Sequence, residues 1–292
     1  MRDLSKLARS SGALAMVAVD QREALRGMFA AHQSAPVPDS QLTQFKVDVA
    51  RELTPHASAL LVDQEFGIDA IVDQNAMAPT AGLIAAADLL IGPAGGAATD
   101  TAVDSQVDPV RMKAIGAAGL KFLVLWRKDE SPQARLDLVN QFKAYCDKVD
   151  LPSIIEIIVK APKNSEVPFD REAQIIEAAT EARTWKPDLY KAEVPFHGEA
   201  DLNQIERNAS LISEAIQGPW VVLSNGVKQP NFAAAVKACC KGGASGFLAG
   251  RAVWADIVGA PDIPKALQDI SIPRLKELAA IVDEYAKPWS SW

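Results

Sequence analysis

Histidine and cysteine are both scarce in this chain, with three of each among 292 residues. The histidines, His32, His56 and His197, are dispersed with no pair at ligand spacing, and no cysteine cluster accompanies them, which argues against a metal centre. Cys146 stands alone, and Cys239 and Cys240 are adjacent and poorly placed to bridge each other. No disulfide framework is implied, so a reducing cytoplasm is expected. No apolar run approaches the length of a membrane span, and the first residues lack the charged-then-apolar layout of a secretory signal. An excess of positive charge is missing too. The formal charge of −7 argues against a general nucleic-acid or membrane-surface binder, although a few local cations suffice for a small anionic substrate. There is no nucleophile-elbow pattern for Ser-His-Asp hydrolysis.

What is present is a core-forming chain, 49% hydrophobic and 23% charged. Short runs at 14–19, 58–62, 81–86, 120–126, 153–159, 187–195 (closed by a proline at each end), 220–224 and 245–251 read as strands, the third being the weakest. Helical patterns occupy 1–12, 23–32, 39–53, 109–118, 132–148, 170–183, 201–216, 230–241 and 273–286, and the Gly-, Ala-, Thr- and Asp-rich stretch 91–106 reads as a long mobile loop. The strands are continuous rather than alternating, which suits a parallel sheet covered on both faces. Eight strand-then-helix units without a linker predict an α/β fold, a single (β/α)₈ TIM-barrel domain over residues 1–292. A doubly wound open sheet is the alternative, but it would carry a Gly-rich loop after the first strand, where Asp20-Gln21-Arg22-Glu23 stands instead.

In such a barrel the reacting groups lie inside or at the C-terminal strand ends. Three consecutive strands carry ionisable residues within apolar runs: Lys121, Glu156 and Lys191. Two ammoniums and one carboxylate in a single interior demand partners. They also match what imine chemistry needs. A lysine amine attacks a ketone only when neutral, and burial together with a neighbouring cation favours that form. Lys191 is the expected nucleophile, Lys121 its neighbouring cation, and Glu156 the group that moves protons. By strand alternation Glu193 shares the face of Lys191 and is a candidate charge partner for it. Asp20 and Asp63, each ending an apolar strand, read as orienting carboxylates. The turns Ser224-Asn225-Gly226 and Gly250-Arg251 sit where such barrels build phosphate sites from backbone N–H groups. Gln21 and Arg22 offer a second cationic site across the mouth, and His197 lies near the same end.

Asp20-Gln21-Arg22, Val62-Asp63-Gln64, Leu120-Lys121-Phe122-Leu123, Glu156 in its apolar strand, Asp188-Leu189-Tyr190-Lys191-Ala192-Glu193 and Gly246-Phe247-Leu248-Ala249-Gly250-Arg251 together resemble class I aldolases of the tagatose-bisphosphate aldolase group. Within that group the likeness is to the sulfofructose-phosphate aldolases of bacterial sulfoquinovose breakdown. The resemblance implies Lys191 as Schiff-base lysine, Glu156 as acid/base and Lys121 as second active-site lysine. It implies Asp20, Gln21, Arg22, Asp63, Ser224, Asn225, Gly226, Gly250 and Arg251 around an anionic sugar phosphate, with no metal and no cofactor. The reaction it implies is reversible cleavage of 6-deoxy-6-sulfofructose 1-phosphate to dihydroxyacetone phosphate and 3-sulfolactaldehyde. The chain departs from the family pattern at Asn225, where a serine is expected, and in the Gly/Ala-rich loop 91–106. Cleavage of tagatose or fructose 1,6-bisphosphate is the alternative, and a non-catalytic barrel that binds an anionic sugar is a second. A homo-oligomer is expected, with the tail 288–292 as a candidate contact.

Overall fold

A computed structural model describes residues 1–93 and 98–292. The described residues contain ten strands: β1 (Leu14–Ala18), β2 (Ala59–Asp63), β3 (Gly82–Ala86), β4 (Asp88–Ile91), β5 (Asp100–Val103), β6 (Ala117–Trp126), β7 (Ser153–Val159), β8 (Leu189–Glu193), β9 (Trp220–Leu223) and β10 (Gly246–Ala249). Eight of them pair in parallel and close into a barrel in the order β1-β10-β9-β8-β7-β6-β3-β2. This is the (β/α)₈ architecture expected from the sequence, and all eight predicted strands are its staves.

The strands bury both faces, and the two sets of side chains build two separate packed regions. Outward residues such as Val17, Leu60, Tyr190 and Val222 pack against the surrounding helices. Inward residues such as Met16, Leu61, Ile84, Ile154, Leu189, Val221 and Leu248 fill the lower barrel, which Leu4 and Leu7 of the N-terminal segment seal from beneath. One step higher on the same inward face, the residue type changes from apolar to ionisable: Ile154 is followed by Glu156, and Leu189 by Lys191. The apolar floor thus places the charges at the C-terminal end.

The main helices are α1 (Glu23–Ala30), α2 (Asp39–Leu53), α3 (Asp69–Asp73), α4 (Pro109–Ala114), α5 (Pro132–Val149), α6 (Arg171–Trp185), α7 (Leu202–Ile216), α8 (Gln229–Lys241), α9 (Arg251–Trp254), α10 (Ile263–Ala266) and α11 (Ile272–Tyr285). Their starts follow ordinary capping chemistry: the side chains of Ser131, Asp170 and Asp201 accept N–H bonds at the first turns of α5, α6 and α7.

The structure corrects three local expectations. Residues 1–12 hold a single 3₁₀ turn, Ser5–Leu7, rather than a helix. The helix predicted over 109–118 ends at Ala114, because Gly116 takes a left-handed conformation (φ +89°) and starts the turn into β6. The stretch 91–106 is not simply a loop, since β4 and β5 pair there as an antiparallel hairpin, with residues 94–97 of that stretch outside the described residues. Thr101 and Val103 supply the β-branched residues that the Gly/Ala composition obscured. The tail 288–292 lies on its own barrel, with Trp289 N donating to Gly12 O (3.1 Å) and Trp292 Nε1 to Ser245 Oγ (3.2 Å). No helix of the described residues is long and apolar enough to cross a membrane.

Candidate active site

Parallel register sets Glu156 of β7 directly beside Lys191 of β8, and Leu123 of β6 beside Glu156. The Lys191 ammonium donates to Glu156 Oε2 at 3.0 Å, and the Lys121 ammonium lies 2.9 Å from the same oxygen. Lys121 also donates to Asp20 Oδ2 (2.8 Å) and to Asp88 Oδ2 (2.9 Å). All five groups are buried. The two lysines therefore differ in kind. Lys121 pairs with three carboxylates, whereas among the described residues Lys191 forms an ion pair with Glu156 only.

The charges follow from those partners. Burial alone would lower the affinity of Lys121 for its proton, but Asp20, Asp88 and Glu156 outweigh it and hold the ammonium well above the ordinary lysine value. Burial pushes the Asp20 carboxyl up, and Lys121 followed by Lys191 overcome it, leaving Asp20 below the ordinary range. Glu156 is lowered by the same balance of burial against the two lysines. Lys121 is a fixed cation; Glu156 is an anion shared by two amines.

Asp88 escaped sequence reasoning. It follows the weakest apolar run, and the signal that could have exposed it is its place just past the third strand, matching Asp20 after the first and Asp63 at the end of the second. Its Oδ2 also accepts from Leu123 N at 3.1 Å. Arg22, expected at the cavity mouth, is instead buried against Asp88: its guanidinium donates to the Asp88 carbonyl at 2.7 Å and lies 3.6 Å from the carboxylate. It is consequently not a free cation. Gln21, by contrast, does line the cavity.

Asp63, expected to line the site, does not reach it. Its carboxylate is fully buried against Lys46 of α2 and caps the following turn by accepting from Phe66 N at 2.8 Å. The remaining donors of Lys46 go to the carbonyls of Val19 (2.6 Å) and Gln21 (2.7 Å), on either side of Asp20. Burial drives Lys46 below the ordinary lysine value despite Asp63. Lys46 was missed because a lysine within Gln44-Phe45-Lys46-Val47-Asp48 looks like part of a solvated helix face. Glu193 is likewise corrected: it pairs with Arg171 (3.1 Å) and accepts from Val159 N (2.8 Å), not from Lys191.

Above the charged layer lies a cavity of about 160 Å³, lined by Asp20, Gln21, Lys121, Glu156, Lys191, Ser224, Asn225, Gly250 and Arg251 among others. Arg251 is exposed and donates to the Asn225 side-chain oxygen. Gly226 (φ +77°) stands back from the cavity with the His197 ring packed against it, so His197 supports the turn rather than facing the cavity. Leu90 of β4 and Ala98 contribute to the roof. Lys160, a half-buried cavity-lining cation just past β7, was also missed, for it lies beyond the apolar run that marked the strand. Among the described residues no group of three or more His, Cys, Asp or Glu side chains is arranged to hold a metal ion.

A lysine beside a carboxylate and a second, cationic lysine, under a cavity with cations on its walls, has the groups that imine formation with a ketone and the accompanying proton transfers need. The chain is 31% identical to tagatose 1,6-diphosphate aldolase 1 of Enterococcus faecalis over 280 residues, covering 87% of this chain and 84% of that protein. It is 29% identical to tagatose 1,6-diphosphate aldolase 1 of Streptococcus pyogenes over 312 residues, covering 96% and 94%. Among solved structures, fructose-bisphosphate aldolase from Slackia heliotrinireducens superposes with a TM-score of 0.65 at 19% identity, over 96% of this chain and 88% of that one. A Schiff-base-forming fructose-1,6-bisphosphate aldolase superposes with a TM-score of 0.63 at 13% identity, over 96% and 98%, a likeness of fold. The protein is an aldolase, a carbon–carbon lyase. It belongs to the DeoC/LacD family of aldolases, whose match spans residues 14–256.

Proposed function

We propose that the protein reversibly cleaves a ketohexose 1-phosphate carrying a second anionic group at C6, with 6-deoxy-6-sulfofructose 1-phosphate as the substrate. The products are then dihydroxyacetone phosphate and 3-sulfolactaldehyde. Lys191 passes a proton to Glu156 as its Nζ adds to the C2 carbonyl, and Glu156 returns that proton as the carbinolamine loses water. The protonated imine withdraws electrons from the C3–C4 bond, and Glu156 takes the C4 hydroxyl proton as the aldehyde leaves. The enamine then gains a proton at C3, and water releases dihydroxyacetone phosphate and the free lysine. Lys121, held cationic by its three carboxylates, stabilises the Glu156 anion between proton transfers.

The observation that carries the C6 assignment is the cation census of the cavity wall. Lys121 and Lys191 are engaged by carboxylates, which leaves Arg251 and Lys160 as the lining cations without a carboxylate partner among the described residues. A sulfonate bears one negative charge where a phosphate bears nearly two at neutral pH. One cation per anion therefore suits a phosphate supplemented by backbone N–H groups at one end and a sulfonate at the other. Tagatose 1,6-bisphosphate is the second reading, favoured by the names of the relatives.

Borohydride with dihydroxyacetone phosphate, followed by peptide mapping, tests the chemistry, and the expected result is a reduced adduct on Lys191. An adduct absent, or sited on Lys121, rejects the assignment of the nucleophile. Cleavage rates on the sulfosugar phosphate against tagatose and fructose 1,6-bisphosphates then decide the substrate, with the highest kcat/KM expected on the sulfosugar.

A further inference from the structure

We propose that Lys160 binds the anionic group at C6 of the substrate and so sets the preference for a doubly anionic ketose; this rests on the aldolase reading above. Lys160 follows β7 four residues beyond Glu156. The two-residue alternation of a strand turns Glu156, Ile158 and Lys160 toward one face, and all three line the cavity. At about 3.3 Å per residue, the Lys160 backbone stands about 13 Å further along the strand direction than that of Glu156, at the mouth rather than at the reacting layer.

The backbone carrying Lys160 is held in place. Its own N–H donates to Trp126 O at 2.8 Å. The preceding N–H, of Val159, donates to the buried Glu193 carboxylate at 2.8 Å, which Arg171 anchors at 3.1 Å. The side chain is not so engaged: among the described residues no carboxylate lies within ion-pair distance of its ammonium. Neighbouring lysines are different, since Lys163 pairs with Glu130 (2.8 Å) and Lys128 with Glu177 (2.8 Å). A half-buried lysine facing a cavity without a counter-ion is a cation waiting for one. Arg251, the other such cation, follows β10, three strand positions away in the barrel order β10-β9-β8-β7. Three spacings of about 4.8 Å place the two cations on separate parts of the wall, as a chain charged at both ends requires. Arg22, which the sequence offered for that end, is turned to Asp88.

The test compares wild-type protein, Lys160→Ala and Lys160→Arg on three ketoses: 6-deoxy-6-sulfofructose 1-phosphate, tagatose 1,6-bisphosphate and fructose 1-phosphate, which has no charge at C6. Loss of one charge-assisted contact predicts a fall in kcat/KM of about 10- to 100-fold for Lys160→Ala on whichever C6-charged ketose the wild type cleaves. On fructose 1-phosphate the change stays within about 3-fold, borohydride trapping of dihydroxyacetone phosphate stays at the wild-type level, and Lys160→Arg recovers most of the loss. An equal loss on charged and uncharged ketoses, or no loss on the charged ones, overturns the role of Lys160 while leaving the aldolase reading intact. A wild-type protein that traps no dihydroxyacetone phosphate overturns both.

Discussion

Replacing Lys121 by methionine removes the cation at the centre of the charged layer and keeps the shape. In the native protein it lies 2.8–2.9 Å from carboxylate oxygens of Asp20, Asp88 and Glu156. At about 2.9 Å and an effective dielectric constant near 20, each contact attracts by roughly 6 kcal/mol. Most of that offsets the desolvation of the four groups. Removing one member of a buried pair has a net cost of about 3–5 kcal/mol, because the partner charge is left uncompensated. At about 2–4 °C per kcal/mol for a chain of this size, the melting temperature at pH 8 falls by about 6–20 °C. The pH dependence carries the sharper signature. Against burial, Lys121 helps hold Asp20 and Glu156 below the ordinary carboxylate range. In the wild type their stabilisation is thus present above that range and is lost only as pH falls through the depressed values. Without Lys121 the same carboxylates take up protons at higher pH, which relieves the variant as the solution is acidified. Melting curves of both proteins between pH 8 and pH 5, followed by circular dichroism, should converge toward acid. A gap that stays constant or widens toward acid, or one below about 3 °C at pH 8, refutes the electrostatic account of Lys121.

Glu156→Gln keeps the size of the side chain and removes the proposed proton carrier. It is expected to lower kcat on the cleaved ketose by about 10²–10⁴-fold while Lys191 can still be trapped, slowly, with dihydroxyacetone phosphate and borohydride; steady-state kinetics with trapping measures both, and a kcat within about 3-fold of wild type rejects the role. Lys46→Met strands the buried Asp63 carboxylate and is expected to destabilise the fold by about 3–5 kcal/mol in urea denaturation. Adding Asp63→Asn should recover part of that loss, and additive losses in the double variant would show that the pair does not act as a unit.

Much of the barrel was legible because its strands are apolar runs whose type does not depend on tertiary partners. The β4–β5 hairpin was not, since its pairing arises from the meeting of two short segments, Asp88–Ile91 and Asp100–Val103, neither of which carries a strong local pattern. In the site, Lys121, Glu156 and Lys191 stood out because a charge inside an apolar strand conflicts with its surroundings. Asp88 falls after a strand end and Lys46 within a helix of mixed polarity, where a charge conflicts with nothing. Asp63 was placed by analogy with Asp20. The difference between them is made by Lys46, a residue from another element, and no pattern along β2 records it.

The barrel closes where β1 meets β10, the first and the last of its staves along the chain. Gly246 sits at that seam with φ +140°, and a Cβ there would collide with the Leu14 carbonyl. Until the ribosome has released residues 246–249, the nascent chain is an open sheet with an unpaired edge on β1. Lys121, Glu156 and Lys191 lie on consecutive staves well before that seam, so their register can be set early. Arg251 comes two residues after β10 and is the last of the cavity's lining cations to be translated. The anion-facing wall is consequently finished only by the event that turns the sheet into a vessel. The absence of a side chain at Gly246, which lets β10 lie against β1, is thus one condition for that wall to form.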